Sequence, residues 1–598
     1  MRRVRIPGRS KVAVQAAAGA LCLWVVLAEY QDAGHVESKT NRMRGRTFIL
    51  TADTRDFCSG APLGKAQEWI RGHYRRAFAA GVSVYVGDVA TPDLVVTKDT
   101  PTGELYGARF DVGLGEDKLP KRYRTIKELM RQETDVLHIL SEEGRKAKAL
   151  VLAGMRMGDA HQGPRWLPQS DIEFFPKFVM DHPEWCNTWE DGSRDATLNY
   201  ALPEVQAHRL QILRELATHY DIDGLELDWM RHCRYFPAGR QKEHLKDLTH
   251  FVGQVRTMLD EVSKKRGVAR MILGHRVPVT MEESLNIGLD LGTWAKQGYA
   301  DFLVPMDFHN VDPNARTDEF VQALRGTPCL VYTGFGASKY SAGDWYTPRA
   351  SSRRRTAALG TLEQFRAVAA NGFAWGATGG AFYNLWGWEP ERQEFATAAI
   401  AIMSDPGKAL AGPRHYLFVP IWKGFLSHYE RLKRYGEEWR KFVRPGDEEG
   451  PGVGIGPTGR HNAQSLVFTS ADVGARQTFT FRMADGKGGE KLQGWLRLRF
   501  FDATPDDTFS IDLNGKAIPL EKFSIVHLPG GELSGRTARP FGVPEDGTFD
   551  WPPNLRYEIS LENCPPFRGD NEFGVTLVKK SRESGAKLVM EAVEVMVR

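Results

Sequence analysis

The stretch Asp221-Ile222-Asp223-Gly224-Leu225-Glu226-Leu227-Asp228-Trp229-Met230-Arg231-His232 decides how the rest of the chain is read. After a turn-forming Asp-Gly it alternates apolar and acidic residues up to a basic end. Successive side chains of a strand point to opposite faces, so Glu226 and Asp228 share one face and Leu225, Leu227 and Trp229 the other. The apolar face suits a layer of helices. The acidic face suits the inside of a parallel β/α barrel, with Asp228 nearer the mouth and Glu226 deeper. Two carboxyls this close repel when both are ionised, so one is protonated or paired with a cation. Arg156 on the preceding strand and Arg231 just above are the obvious cations.

Seven more apolar runs of strand length flank this one: Thr47–Ala52, Val82–Val86, Ala149–Met155, Met271–Gly274, Phe302–Met306, Cys329–Thr333 and Gly380–Leu385. Helical patterns lie between them. One puts Leu245, Leu248, Phe251, Val252, Val255, Met258, Leu259 and Val262 on a single stripe and stops at Gly267. Another starts at Pro203, a good first helical position, and carries Leu210, Leu213, Leu216, Ala217 and Tyr220. Eight strand–helix units over residues 46–403 predict a (β/α)8 TIM barrel. The rival, an open doubly wound sheet, lacks a Gly-rich phosphate loop after its first strand.

In such a barrel the strand ends converge on one mouth, which names the candidate site. Asp228 is the preferred catalytic carboxylate, with Asp307 or Glu226 as its partner. Arg156, Asp159, His161, Arg231, Arg276, Tyr332, Asn384 and Trp386 are the candidates to bind substrate. Asp53 and Asp88 also end strands, but Asp is common in turns and they rank lower. His161, His232, His275 and His309 read as satisfied polar residues rather than catalysts. Asp159-Ala160-His161 is too little for a metal site and no H-E-x-x-H is present, so neither a metal nor a cofactor is expected. The long segment after the third strand carries Trp166, Phe174, Phe175, Trp185 and Trp189. Its aromatics read as a sugar-stacking wall or as a self-packed mini-core, and Trp386 and Trp388 as a sugar platform.

The whole chain has 598 residues, enough for more than one domain. Its net charge of +4 is small and spread out, which calls for no nucleic-acid partner. At the start, Arg2, Arg3, Arg5, Arg9 and Lys11 precede the apolar run Val12–Ala28, the pattern of a signal peptide over residues 1–28. The mature protein is then expected in the periplasm or outside the cell, with no membrane span. The remaining cysteines (Cys58, Cys186, Cys233, Cys329, Cys564) lack metal spacing and allow at most partial disulfide pairing. Residues 404–459 read as a helical extension, with Tyr416–Tyr435 helical, and a Gly/Pro-rich linker, Arg444–Thr458. From about 460 to 598 strict alternation and the turn Asn514-Gly515 predict an antiparallel β-sandwich.

The run Asp223-Gly224-Leu225-Glu226-Leu227-Asp228-Trp229-Met230-Arg231 resembles the D-G-[IL]-x-[LF]-D-x-x-R strand of glycosyl-hydrolase-like family ten, a group of bacterial barrels. Leu289-Asp290, Trp294 and Tyr299–Pro305 resemble the segment where a helix of that family leads into its next strand. The likeness covers the barrel only. It implies hydrolysis of O-glycosidic bonds, with carbohydrate as the partner. The chitinase pattern wants Glu where this chain has Trp229 or Met230. The amylase pattern wants Arg where it has Glu226, so neither of those mechanisms carries over. The leading expectation is a glycoside hydrolase. A non-catalytic carbohydrate-binding barrel is the alternative, and a metal-dependent hydrolase a third.

Overall fold

A computed structural model describes residues 41–598 except 92, 109–118, 159–175, 189–193, 231–232, 238, 307–312, 337–360, 388–389, 419–465, 529–530, 534–548, 552–553 and 586. Eight parallel strands close on themselves: β1 (Phe48–Asp53), β2 (Val84–Thr91), β3 (Leu150–Arg156), β4 (Gly224–Asp228), β5 (Ile272–Val277), β6 (Phe302–Pro305), β7 (Leu330–Gly336) and β8 (Gly379–Tyr383). β8 pairs with β1 and β1 with β2, so the sheet is a barrel and not an open fan. Each strand coincides with an apolar run read from the sequence.

The helices form where an apolar stripe can lie on the strands' outer faces. Leu245–Arg266 buries Leu248, Phe251, Val252, Val255, Met258, Leu259 and Val262. Each fully buried side chain of this kind contributes roughly 1.5–3 kcal/mol. Gly267 ends the helix at φ +65°, with the amides of Gly267 and Val268 returning to the carbonyls of Lys264 and Ser263. Leu225, Leu227 and Trp229 join this outer core, as their parity requires.

Two residues of the opening stretch hold the base of β4. Asp223 accepts the Val151 amide at 2.8 Å and pairs with Arg42. A Cβ on Gly224 would sit 2.1 Å from the Ile272 carbonyl oxygen, so only glycine fits there. Met43 plugs the barrel floor, and the Tyr332 hydroxyl donates to the carbonyls of Met43 and Arg46.

Inward side chains of a closed eight-stranded barrel stack in layers of four drawn from alternate strands. Advancing one residue per strand along the registers keeps to one level. From Asp88 this path meets Asp228, Met306 and Tyr383 and returns to Asp88. Immediately below lie Thr51, Gly154, Arg276 and Gly334, and below those Val86, Glu226, Val304 and Ala381. Asp53 and Arg156 lie above. The lower barrel is apolar and its upper layers are ionic.

Beyond the barrel, two antiparallel sheets form the sandwich. One runs β9 (Arg414–Phe418), β18 (Leu588–Val597), β12 (Gly494–Phe501), β16 (Asn554–Ser560) and β15 (Ser524–Leu528), with β10 (Val467–Phe468) also on β18. The other runs β11 (Arg476–Met483), β17 (Gly569–Lys579), β13 (Thr508–Leu513) and β14 (Lys516–Ile518). Asn514 (φ +52°) and Gly515 (φ +76°) make the two-residue turn between β13 and β14 that their identities predict.

One expectation fails at the boundary. Tyr416 is not helical: β9 is a sandwich strand, with Tyr416 and Phe418 in the core and the backbone paired to β18. Residues 419–435 and the linker lie outside the described residues, as does the signal segment. The five cysteines Cys58, Cys186, Cys233, Cys329 and Cys564 are buried, and no disulfide forms among the described residues. Among the described residues no helix is long and apolar enough to cross a membrane.

Candidate active site at the barrel mouth

The site grows out of strand parity. Thr51 and Asp53 on β1, Val86 and Asp88 on β2, Gly154 and Arg156 on β3, Glu226 and Asp228 on β4, and Arg276 on β5 all point inward. They form two ionic groups.

In the first, Asp228 faces Arg276, its register partner on β5. Arg276 Nε donates to Asp228 Oδ1 at 2.9 Å, and Nη2 pairs with Oδ2. The Met230 amide also donates to Oδ1, at 2.8 Å. The guanidinium lies 4.0 Å from the centre of the Tyr383 ring. Burial works against the Arg276 charge, but Asp228, with Tyr383 and Glu226, outweighs it and holds the guanidinium well above its ordinary pKa.

In the second, Arg156 reaches toward β1 and β2. It pairs with Asp53, places Nε 2.8 Å from Asp88 Oδ2, and donates to the Tyr383 hydroxyl. Asn384 sits in the left-handed region at φ +58°, which Asn tolerates. There its Nδ2 donates to Asp53 Oδ2 at 2.9 Å, while its Oδ1 accepts the Asp53 amide. Tyr383 thus joins the groups, with its ring under one arginine and its hydroxyl on the other.

These surroundings drive the carboxyls apart. Burial alone would raise Asp53, but Arg156, Arg55 and Asn384 together hold it well below the usual carboxylate range. Asp88 goes the other way: burial pushes it well above that range, Asp53 and Asp228 add to the shift, and Arg156 only partly opposes it. Burial likewise raises Glu226 to about 7, against Arg276 and with Asp228. The Thr51 hydroxyl donates to Glu226 Oε1 at 3.1 Å, and Oε2 receives no hydrogen bond. Two carboxyls raised by burial beside two carboxylate–arginine pairs lessen the net charge held at the mouth, as burial favours. Carboxyls in contrasting protonation states are what general acid–base chemistry uses.

Of the residues nominated from sequence, Asp228, Glu226, Arg156, Arg276 and Asn384 come together here. Two do not. Tyr332 lies near the opposite end, with its hydroxyl on the barrel floor. Its inward parity was legible, but its depth follows from barrel stagger. Trp386 is buried in the outer layer, edge-on to His73 with ring centres 6.5 Å apart, so it is no open sugar platform. Asp228 takes its cation from Arg276, not from Arg156, which turns away toward Asp53 and Asp88. Asp159, His161, Arg231 and Asp307 lie outside the described residues, as do His232, His309, Trp166, Phe174, Phe175, Trp189 and Trp388. Trp185 stacks on His182 at 3.9 Å and touches Phe178, which suits the mini-core reading. His275 is a structural residue: it accepts from Trp229 Nε1, and burial lowers it to about 4.

Asp53 and Asp88, which the sequence ranked lower, and Tyr383, which it did not name, also stand at this mouth. Each has the parity of an inward residue at the C-terminal end of its strand, a signal the sequence carried. Among the described residues no group of three or more His, Cys, Asp or Glu is arranged to hold a metal ion.

No family model matches the sequence, and no curated protein matches it. Solved structures with a similar fold include α-L-fucosidase isoenzyme 2 from Paenibacillus thiaminolyticus (TM-score 0.38, 12% identity). That match covers 62% of this chain and 51% of the fucosidase, so the chain spans about half of that protein's length. Another is the PgaB glycoside hydrolase domain from Bordetella bronchiseptica (TM-score 0.35, 14% identity, 58% of this chain and 98% of that one). A third is a family 18 N-acetylglucosaminidase from Paenibacillus barengoltzii (TM-score 0.34, 11% identity, 60% and 100%). These neighbours are glycoside hydrolase barrels, but at such scores and identities the likeness says nothing about activity.

Proposed function

We propose that this chain is an exported glycoside hydrolase that cleaves O-glycosidic bonds of a polysaccharide or oligosaccharide at the barrel mouth. Asp228 is its central catalytic carboxylate, and a second carboxyl supplies the proton, with Glu226 and Asp307 as the sequence-derived candidates. One observation carries the reading. The inward carboxyls of the upper barrel are held differently: Asp228 is ion-paired to Arg276, while burial raises Asp88 well above the usual carboxylate range and Glu226 to about 7. Glycosidic cleavage needs such a division, an acid for the leaving oxygen and a carboxylate that attacks or activates water. The resemblance of Asp223–Arg231 to the strand motif of glycosyl-hydrolase-like family ten points the same way, and the basic, then apolar, N-terminus supports export to the periplasm or beyond.

The test is a screen of the mature protein against a panel of polysaccharides, followed by Asp228→Asn. A hydrolase loses turnover in the variant and still binds its sugar. A second reading, a carbohydrate-binding barrel without chemistry, draws on the engagement of both Asp228 oxygens by Arg276. It expects binding with no turnover in the wild type.

A further inference from the structure

We infer that Asp88 is the proton donor that works with Asp228, in a carboxyl pair with Asp53 that Arg156 clamps at the mouth. The inference rests on the hydrolase reading above and names the second acid of that site.

Placement comes first. Asp88 and Asp228 share one layer of the barrel, on strands separated only by β3, whereas Glu226 lies two layers lower, beneath the level of Arg276. A donor must reach the same bond as its partner, and shared level provides that. The wall makes room for it. Opposite Asp88 stands Gly154, where an added Cβ would come within 3.2 Å of the Asp88 Cα. The β2–β3 register then shifts between Asp88 and Ala90, a bulge of the kind that re-aims a side chain.

Partnership comes second. Asp88 shares a hydrogen bond with the Asp53 carboxyl, but neither of its oxygens receives one from an N–H or hydroxyl group of a described residue, although the side chain is buried and Arg156 Nε is 2.8 Å from Oδ2. Every other mouth carboxyl has at least one such bond. The groups facing Asp88 are Asp53 and Arg55 from the end of β1, Arg156 from β3 and Asp228 from β4. With Asp53 held as the carboxylate by Arg156 and Asn384, burial leaves the proton on Asp88.

The step balances as a hydrolysis. The glycosidic C–O bond breaks, its electron pair passes to the leaving oxygen, and that oxygen takes the Asp88 proton. Water, the second reactant, places its hydroxyl on the anomeric carbon, and its remaining proton replaces the one Asp88 gave up. Asp228 is the carboxylate facing that carbon.

The experiment compares wild type and Asp88→Asn on two substrates of the same sugar: an oligosaccharide from the screen and the corresponding glycosyl fluoride. Fluoride leaves without a proton. Expected is a loss of about 10²–10⁴-fold in kcat/KM on the oligosaccharide, with only a small change on the fluoride. Equal loss on both substrates, or none on either, overturns the assignment. A second variant, Asp53→Asn, keeps the donor and removes the neighbouring charge, so the alkaline limb of the kcat/KM profile moves to lower pH. An unmoved limb also overturns it. Infrared spectra at pH 7 in a Glu226→Gln background add a readout without turnover: the protonated-carboxyl band should vanish with Asp88→Asn, and its persistence contradicts the inference. If the wild type cleaves no glycoside, the hydrolase reading falls and the donor with it. If it cleaves and Asp88→Asn is unaffected, only the donor falls.

Discussion

Arg276 grips both oxygens of Asp228 across the β4–β5 register, with the guanidinium resting on the Tyr383 ring. Removing one partner of a buried ion pair strands the other charge in a dry interior. Arg276→Met should therefore destabilise the protein by about 3–5 kcal/mol in denaturant titrations. Arg276→Lys should recover only part of that, since an ammonium cannot bind both oxygens in a plane and stack on the ring. A methionine variant within 1 kcal/mol of wild type, by the same scale, would refute the view that this pair needs both members.

Glu226 gives stability a pH dependence of known sign. Its folded-state pKa, about 7, lies above the ordinary 4.5. Between those values the folded protein keeps a proton that the unfolded chain has released. The contribution is complete below pH 4.5 and is lost as pH rises through about 7. Glu226→Gln removes this dependence. Relative to wild type it should gain about 3 kcal/mol between pH 4.5 and pH 7 and beyond. Unfolding curves of the two proteins at pH 4.5 and pH 8 decide the matter, and a constant difference between them would exclude it.

Gly274 faces Glu226 across the β4–β5 register and lies against Phe302. A Cβ there would meet the Phe302 ring at 2.0 Å. Gly274→Ala should lower stability by about 1–3 kcal/mol through overpacking. Pairing it with Phe302→Leu should restore much of the loss. If the single variant is as stable as wild type, the close packing at this level is not as described.

The barrel and the sandwich are joined by Asn371, whose Nδ2 donates to the Pro313 carbonyl at 2.7 Å and the Arg482 carbonyl at 2.9 Å. Arg482 in turn lies over the Trp375 ring at 5.1 Å and pairs with Asp318. Asn371→Ala leaves two buried carbonyls short of a donor, a loss of about 1–3 kcal/mol. Because those carbonyls belong to different domains, calorimetry should show the single transition broaden or split. An unchanged, single transition would mean that the two domains are coupled elsewhere.

Strand and helix periodicity carried the architecture. All eight barrel strands and the Asn514-Gly515 hairpin were legible because burial on one face leaves a period of two, and because a type I′ turn demands positive φ at both residues. Asp228 and Glu226 were legible for the same reason: parity on β4 put both inside. Tyr416 was misread because its neighbours form a strand only by pairing with Leu588–Val597, a partner far away in sequence. Tyr332 was misplaced because parity tells inside from outside but not height, and Trp386 because it follows the end of β8 and packs in the outer core.

By itself the sequence determined which runs form strands, which of their faces are buried and that Glu226 and Asp228 point inward, since these depend on neighbours along the chain. Only the tertiary structure decided that Arg276 and not Arg156 neutralises Asp228, that Asp53 and Asp88 share Arg156, and that Asp88 stands level with Asp228. Those relations come from barrel closure. Its stagger of one residue per strand sets heights that residues distant in sequence agree on only once the ring is complete.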